Sequence, residues 1–431
     1  MPKAVISNRI YLTYNSEEEC ERYKKALTYK IVKPSPGKGK LGSIEFIRNY
    51  KLLPKNIISI PQGRTDLIPE GYEIMDKRVL NDMPFPEPKV PLREEQLKVF
   101  NDVNDTCFIN ALVGWGKTFV ALHIARKLAQ KTLIITHTTL LRDQWVEEIE
   151  KLFGMQAGII GSGHYDIDSA IVVGNVQSLT KYKLELSKEF GTIILDECHH
   201  VSATTFSELI DTSYARYRIG LSGTMVRKDE KHVVFPDYFG HTVHKPPQSH
   251  TLNPVVKIIK PGITLTPGQP WVKKINNLLY DPDYQEYVAT IVQTQLRLGY
   301  RVLLVASRVE FLSNIKEYLG DSCVLVTGST DFEERKKAAE AIEDGSKLCI
   351  IGSRQIFSEG ISVNRLDCLI LPEPISNEVL LEQLVGRIMR KHDDKKEPVV
   401  IDVMFSGAAD RKQNNLRLGF YMKKGWVTKS I

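Results

Sequence analysis

From about Pro91 onward the chain alternates short apolar runs with helical stretches, and it does so twice. The first set of runs is Cys107–Asn110, Thr132–Thr136, 170–174, Thr192–Leu195 and 218–221. The second follows Trp271 and comprises Val302–Ala306, Cys323–Val326, 348–351, Cys368–Leu371 and Val399–Val403, with helical stretches such as 331–343 between them. This alternation predicts parallel α/β architecture. At 431 residues the chain also exceeds the roughly 250 residues at which a single hydrophobic core stops growing. The expectation is an α/β chain with two tandem parallel-sheet domains, residues 89–247 and 248–431, behind a smaller α+β domain in residues 1–88.

The small domain reads differently. Residues 10–14 are β-branched and aromatic, as in a strand, and Asn15-Ser16 followed by Glu17, Glu18 and Glu19 gives a capped, acid-first start to a helix expected to reach about Tyr29. The stretch PSPGKGKLG at 34–42 predicts a loop, and 43–50 and 56–60 predict further strands. Pro84, Pro86, Pro88 and Pro91 then suggest a semi-rigid linker.

With 42% hydrophobic and 26% charged residues the composition is that of a soluble globular protein, and no apolar run approaches the roughly 20 residues of a membrane span, which argues against a membrane role. Met1-Pro2-Lys3-Ala4 opens no apolar signal segment, so the chain is expected to stay where it is made. The six cysteines stand singly, without CxxC pairs or histidine ligand spacing, and are read as reduced thiols. The net charge of +6 is mild, but between Arg22 and Arg64 eleven Lys or Arg face one acid, Glu45. Such a run is the footprint expected for a phosphate backbone, the alternative being a solvated basic face.

The strongest local motif is Ala111-Leu112-Val113-Gly114-Trp115-Gly116-Lys117-Thr118, between an apolar strand and a helix expected over 119–130. Glycines let such a loop curl so that backbone N–H groups and the helix N-terminus face phosphate oxygens. Lys117 can then reach β/γ-phosphates and the Thr118 hydroxyl can ligate Mg²⁺. Ala111 stands where the usual pattern has its first glycine. Asp196-Glu197-Cys198-His199 follows a second strand, where Asp196 can hold Mg²⁺ through water while Glu197 polarises an attacking water. In Gln383-Leu384-Val385-Gly386-Arg387-Ile388-Met389-Arg390, a helix would put Gln383, Arg387 and Arg390 on one face, able to neutralise charge on a γ-phosphate.

In this order the motifs resemble those of the superfamily 2 helicases and translocases, from about Pro91 to Arg390. The resemblance implies two RecA-like domains that close on ATP and Mg²⁺, with Gln96 reading the adenine and Arg93 beside it. It places Ala111, Gly114, Trp115, Gly116, Lys117 and Thr118 around the nucleotide. It gives Ser222 and Thr224 of Ser222-Gly223-Thr224 a coupling role, and it brings in Glu359 and Gly360 of a motif that opens at Gly352-Ser353. For the nucleic-acid track it implies Thr138, Arg142, Gly161, Ser162 and Gln177 in the first domain, and Ser307, Arg308, Thr327 and Gly328 in the second.

Length, the DExH form, the basic N-terminal domain and Thr224-Met225-Val226-Arg227-Lys228-Asp229 resemble the branch that holds XPB-type and phage UvsW-type DNA helicases. Arg227 belongs to a triplet that XPB-type proteins carry as Arg-Glu-Asp, and Lys228 departs from it. What this branch implies is a monomeric 3′ to 5′ DNA motor that remodels forks and junctions, with other replication or recombination proteins as partners. Its place would be the cytoplasm, at the nucleoid, or the host cytoplasm if phage-encoded. An RNA helicase, the motor subunit of a restriction-type complex and a regulator with a dead ATP site remain open alternatives at this point.

Overall fold

The computed structural model describes residues 2–33, 43–111, 114–198, 203–223, 231–246, 252–359, 363–390, 392 and 394–430. It divides into two compact units, the first made of Met1–Leu112 with Gly116–Pro247 and the second chiefly of Gln248–Ile431.

The first unit opens with β1 (Lys3–Ile6), β2 (Arg9–Thr13), α1 (Glu17–Ala26), β3 (Thr28–Lys33), β4 (Ser43–Arg48), β5 (Lys51–Leu53), β6 (Ile57–Pro61) and β7 (Glu73–Asp76). Five of these strands form a sheet in the order β5-β6-β2-β1-β7. Ala4, Ile6, Ile10 and Leu12 fall on one face of it, and Tyr23 and Leu27 close over them. Ser16 caps α1 by accepting the Glu19 N–H at 3.2 Å. The helix ends at Ala26 rather than near Tyr29. The β-branched and aromatic residues of 28–33 leave it to pair antiparallel with β4, Thr28 opposite Arg48 and Val32 opposite Ile44.

There follow α2 (Glu94–Asp102), β8 (Cys107–Asn110), α3 (Lys117–Leu128), β9 (Thr132–Thr136), α4 (Thr139–Phe153), β10 (Gly158–Gly161), β11 (His164–Tyr165) and β12 (Ile171–Asn175). After these come α5 (Val176–Lys181), β13 (Thr192–Leu195), α6 (Ala203–Ile210), β14 (Tyr217–Ser222), α7 (Phe235–Phe239) and β15 (Val243–His244). Their sheet runs β11-β10-β12-β9-β13-β14-β8-β15 and is parallel except between β10 and β11. The proline-rich stretch is strapped to this body: Met83 N donates to the Ala129 carbonyl at 2.9 Å and Lys89 N to the Leu152 carbonyl at 2.8 Å.

The small sheet and its ribbon are locked to the large one through buried polar groups. Asp237, in α7, accepts hydrogen bonds from Tyr29 Oη at 2.6 Å, Asn49 Nδ2 at 2.8 Å and Arg64 Nη1 at 3.3 Å. Burial raises its carboxyl above the ordinary range, and those three donors act the other way. Arg9 Nη1 pairs with Asp211 at 2.6 Å. Two members of the basic run are thereby turned from phosphate: Arg64 is buried against Asp66 and Asp237, and Lys24 lies between Glu17 and Glu21.

The second unit contains β16 (Val255–Ile259), α8 (Trp271–Leu279), α9 (Pro282–Arg297), β17 (Val302–Ala306), α10 (Val309–Leu319), β18 (Cys323–Val326) and α11 (Phe332–Glu343). It continues with β19 (Cys349–Ser353), α12 (Arg354–Glu359), β20 (Cys368–Leu371), α13 (Glu378–Ile388), β21 (Val399–Val403), α14 (Ala408–Lys423) and β22 (Val427–Ser430). Its sheet, β18-β19-β17-β20-β21-β16-β22, is wholly parallel. It does not begin after Trp271: β16 precedes that residue, and its Lys257 breaks the apolar run that marks the other strands. Leu303, Val305, Ile350 and Leu369 pack on one face and Val302, Leu304, Ile351 and Ile370 on the other. All six cysteines are buried free thiols. Among the described residues no helix is long and apolar enough to cross a membrane.

The tight seam at Gly63 makes a test of the docking. A Cβ there would lie 2.6 Å from the Pro236 carbonyl oxygen and 2.8 Å from Gly240 N, both backbone atoms. Gly63→Ala is expected to destabilise the first unit by about 1–3 kcal/mol through overpacking. Gly419→Ala, inside α14 where nothing lies within 4 Å, should not destabilise and is expected to gain up to about 1 kcal/mol from alanine's helix propensity. Urea midpoints of the two variants against the parent check this.

Candidate active site

In the first large sheet β8, β14, β13 and β9 are neighbours and parallel, so their C-terminal ends share one rim, where ligands bind in open α/β sheets. β8 feeds the loop that starts at Ala111, β13 feeds Asp196-Glu197, and β14 ends between them at Ser222. The Ala111 N–H donates to the Ser222 carbonyl at 3.1 Å, and the Asp196 N–H to the Ile135 carbonyl of β9 at 3.0 Å.

Gly116 has φ 94°, a left-handed turn that lets the chain enter α3 at Lys117. A Cβ at Gly116 would meet Gln96 Nε2 at 2.7 Å and Arg93 Nη2 at 3.5 Å, so both side chains lie against the foot of the loop. Gln96 Oε1 accepts the Arg93 N–H at 3.0 Å across the first turn of α2. Lys117 Nζ donates to the Ala111 carbonyl at 3.1 Å and lies 3.4 Å from Glu197 Oε1. Gly114 and Trp115 precede it in the loop, and Thr118 follows in the first turn of α3.

Asp196 has both oxygens engaged: Oδ2 accepts from Trp145 Nε1 at 2.8 Å and Oδ1 from the Glu197 N–H at 2.9 Å. Burial and the neighbouring Glu197 carboxylate push its pKa up to about 6, against the Trp145 N–H and the Lys117 ammonium. A dication beside Asp196 would relieve that strain on the anion. The buried Asp196 carboxylate and the half-buried Thr118 hydroxyl are also the hard oxygen donors that Mg²⁺ takes, so the residues fit the ion. Glu197 has φ 43°, unusual for a non-glycine residue, and its Oε2 accepts the Gly223 N–H at 3.5 Å. Sequence reasoning missed Trp145, because nothing marks an indole in α4 as the partner of an acid that follows β13.

Several track residues of the first unit converge. Arg142 Nη1 donates to Ser162 Oγ at 3.0 Å, and a Cβ on Gly161 would meet Ser178 Oγ at 2.9 Å. Thr138 caps α4 by accepting the Leu141 N–H at 3.2 Å. Gln177 is exposed in the first turn of α5. In the second unit one buried acid, also missed from the sequence, organises the strand ends. Glu373 accepts from Ser307 N, from Ser307 Oγ at 2.8 Å and from Arg354 at 2.7 Å. Arg308 Nε donates to Asn276 Oδ1 at 2.8 Å, while the Thr327 and Gly328 carbonyls accept from Arg335 Nη2 at 3.3 and 3.2 Å.

Gln383 and Arg387 lie on α13, where Arg387 Nε donates to the Phe357 carbonyl at 2.8 Å. Arg390 does not share that helix face. α13 ends at Ile388, and the Met389 carbonyl accepts the Leu252 N–H at 2.9 Å, drawing the chain out of the helix. Arg390 Nη1 instead donates to Asn364 Oδ1 at 3.0 Å. Thr224, Arg227, Gly360 and the residues Leu112, Val113 and His199 of the motifs lie outside the described residues; of Glu359 only its place at the end of α12 is described.

Residues 89–227 match the family described as type III restriction enzyme, res subunit, and residues 285–392 the helicase conserved C-terminal domain. The chain is 39% identical over 435 residues to a protein of Escherichia phage T5 named probable helicase D10, covering 99% of this chain and 95% of that one. It is 25% identical over 373 residues to the ATP-dependent DNA helicase uvsW of Enterobacteria phage T4, covering 75% of this chain and 71% of the relative. The helicase domain of Pyrococcus furiosus Hef shares the fold, with a TM-score of 0.51, 15% identity and coverage of 76% of this chain and 98% of that one. The chain therefore belongs to the superfamily 2 helicases, in the UvsW-like branch. Its two large sheets are RecA-like domains, and it is a nucleic-acid-dependent ATPase.

Trp145→Phe removes one hydrogen bond from Asp196 while keeping an aromatic ring in the core of α4. The expected result is a roughly tenfold fall in stimulated ATPase turnover, about 1.4 kcal/mol, with a higher Mg²⁺ concentration for half-maximal rate. Steady-state assays across a Mg²⁺ series check it.

Proposed function

We propose that the rim around Lys117 hydrolyses ATP to drive remodelling of branched or forked DNA, by regressing forks and moving junctions. The observation that carries the branched-DNA reading is the buried Asp237 anchor, which fixes a basic ribbon to the motor's first RecA-like domain. Support for DNA as the polymer comes from the phage T4 relative, named a DNA helicase.

In this reading the loop amides and the N-terminus of α3 take phosphate oxygens, and Lys117 takes the β/γ-phosphates. Arg93 and Gln96 hold the base. Mg²⁺, bound by Thr118 and through water by Asp196, would offset charge on the phosphates. Glu197 orients the attacking water. Gln383, Arg387 and Arg390 are the second unit's contribution to neutralising the transferring group. The Gly223 N–H on Glu197 supports a coupling role for Ser222 and Thr224. Thr138, Arg142, Gly161, Ser162, Gln177, Ser307, Arg308, Thr327 and Gly328 would hold backbone phosphates through hydroxyls, amides and cations without reading bases. We read the working species as a monomer.

Lys117→Ala should lower ATPase turnover by roughly a hundredfold or more and leave DNA affinity within about threefold of the parent; ATPase that survives in a clean preparation would sink the assignment. The substrate is tested by ATPase stimulation with single strand, blunt duplex, fork and four-way junction, in DNA and RNA, at one salt concentration because phosphate contacts are salt-dependent. Fork or junction DNA is expected to stimulate most. Equal stimulation by blunt duplex, or stronger stimulation by RNA, would overturn the reading.

A further inference from the structure

The ribbon of β3 and β4 has two unlike faces. Tyr29 and Ile47 turn inward and pack against the core of the large sheet, and Ile31, which pairs with Glu45, lies on the same face and is buried. The outward face carries Thr28, Lys30 and Val32 on one strand and Arg48, Phe46 and Ile44 on the other. Phe46 is 55% exposed, Ile44 53% and Val32 51%. Val32 and Ile44 are directly opposite and cover one another in part, but Phe46 stands opposite Lys30, with Arg48 two residues along the same strand. No acid shares this face, since Glu45 points the other way.

From this juxtaposition we propose that the outward face of the β3–β4 ribbon is a base-stacking site for unpaired nucleotides at a DNA branch point: Phe46 takes the face of a base, and Lys30 and Arg48 take the phosphates on either side. The inference rests on the reading of the chain as a branched-DNA motor and names the surface that meets the branch.

Three physical points favour nucleic acid as the occupant. Stacking on an exposed ring beside cations is how single strands are held without sequence preference. Opposite Cβ atoms in an antiparallel pair are about 5 Å apart and successive side chains on one face about 7 Å apart, so both cations fall within a side chain's reach of the ring's edge. Three apolar side chains, finally, form a patch far smaller than the ~800 Å² per partner of a stable protein interface. The inner face is fixed through Tyr29 to Asp237, so the outer face is presented rigidly.

The test uses the full chain, with fluorescent fork, blunt-duplex and single-stranded DNA probes at one salt concentration. Because Phe46 is exposed, its replacement leaves the core intact. Phe46→Ala is expected to weaken fork and single-strand binding about tenfold and to leave blunt-duplex binding and unstimulated ATPase within about twofold. Phe46→Trp should keep the affinity, and its added indole emission should be quenched by fork and by single strand. Fork affinity unchanged in Phe46→Ala, with the added indole emission indifferent to DNA, overturns the proposal and leaves a protein as the occupant of the face. Equal losses for fork and duplex overturn it as well, since stacking on unpaired bases cannot weaken a blunt duplex. A parent that binds fork no better than duplex removes the branched-substrate reading instead, and quenching by the single strand still decides this face.

Discussion

The central strands of the two large sheets are buried on both faces, and a strand so placed carries a charge only where the fold supplies a partner, as Arg417 does for Asp402 in β21. Most of the polar groups that the protein needs are therefore placed at strand ends. In the first unit this puts the loop after β8, Ser222 at the end of β14 and Asp196-Glu197 after β13 side by side on one rim. In the second it puts Ser307 after β17, Arg354 after β19 and Glu373 after β20 together. Each rim is organised by one buried carboxylate whose two oxygens are both occupied. Asp196 holds Trp145 and the Glu197 N–H; Glu373 holds Ser307 and Arg354. Hydrogen bonds of this kind fix direction more than they add stability, which is what a site that must place phosphate or metal requires.

The same device fastens whole elements. Asp402, buried in β21, accepts from Arg417 and, at 2.9 Å, from Tyr421 Oη, and so ties α14 to the second sheet. Asp237 does the equivalent for the N-terminal sheet and ribbon through Tyr29, Asn49 and Arg64. A buried pair of this sort is a poor source of net stability against an apolar replacement. It does make one docking geometry far better than its neighbours, since a shifted ribbon would leave a buried carboxylate without donors.

The large-scale fold was legible because both-face burial writes itself into the sequence as unbroken apolar runs; Cys107–Asn110, Thr192–Leu195 and Val302–Ala306 fall where those runs do. Elements at sheet margins were not. β16 is interrupted by Lys257, β10 is bounded by Gly158 and Gly161, and β7 is exposed throughout, so none presents a run. The loop at Lys117 and the acids at Asp196 stood out because their spacing is local. Trp145 and Glu373 did not, because each acts across strands distant in the sequence and local spacing cannot announce it. Arg390 was misjudged for a related reason: extending α13 by one more turn is reasonable locally, but the helix ends at Ile388 and the Met389 carbonyl accepts from Leu252, a residue distant in the sequence. The basic run was misread in part, because a charge count does not distinguish Arg64, which faces Asp237, from Lys30 and Arg48, which face outward.

Those buried contacts also decide whether the ribbon could move independently of the first large sheet. α7, which carries Asp237, stacks Phe235 on Phe108 and sets Phe239 edge-on to it, with ring centroids 5.8 and 5.9 Å apart. Phe108 belongs to β8, the strand that feeds the loop at Lys117. The path from ribbon to α7 to β8 is thus packed or hydrogen-bonded at each step. Close-packed contacts transmit displacement rather than absorb it. The ribbon must therefore travel with β8, so that whatever it holds is held in the frame of the first RecA-like domain.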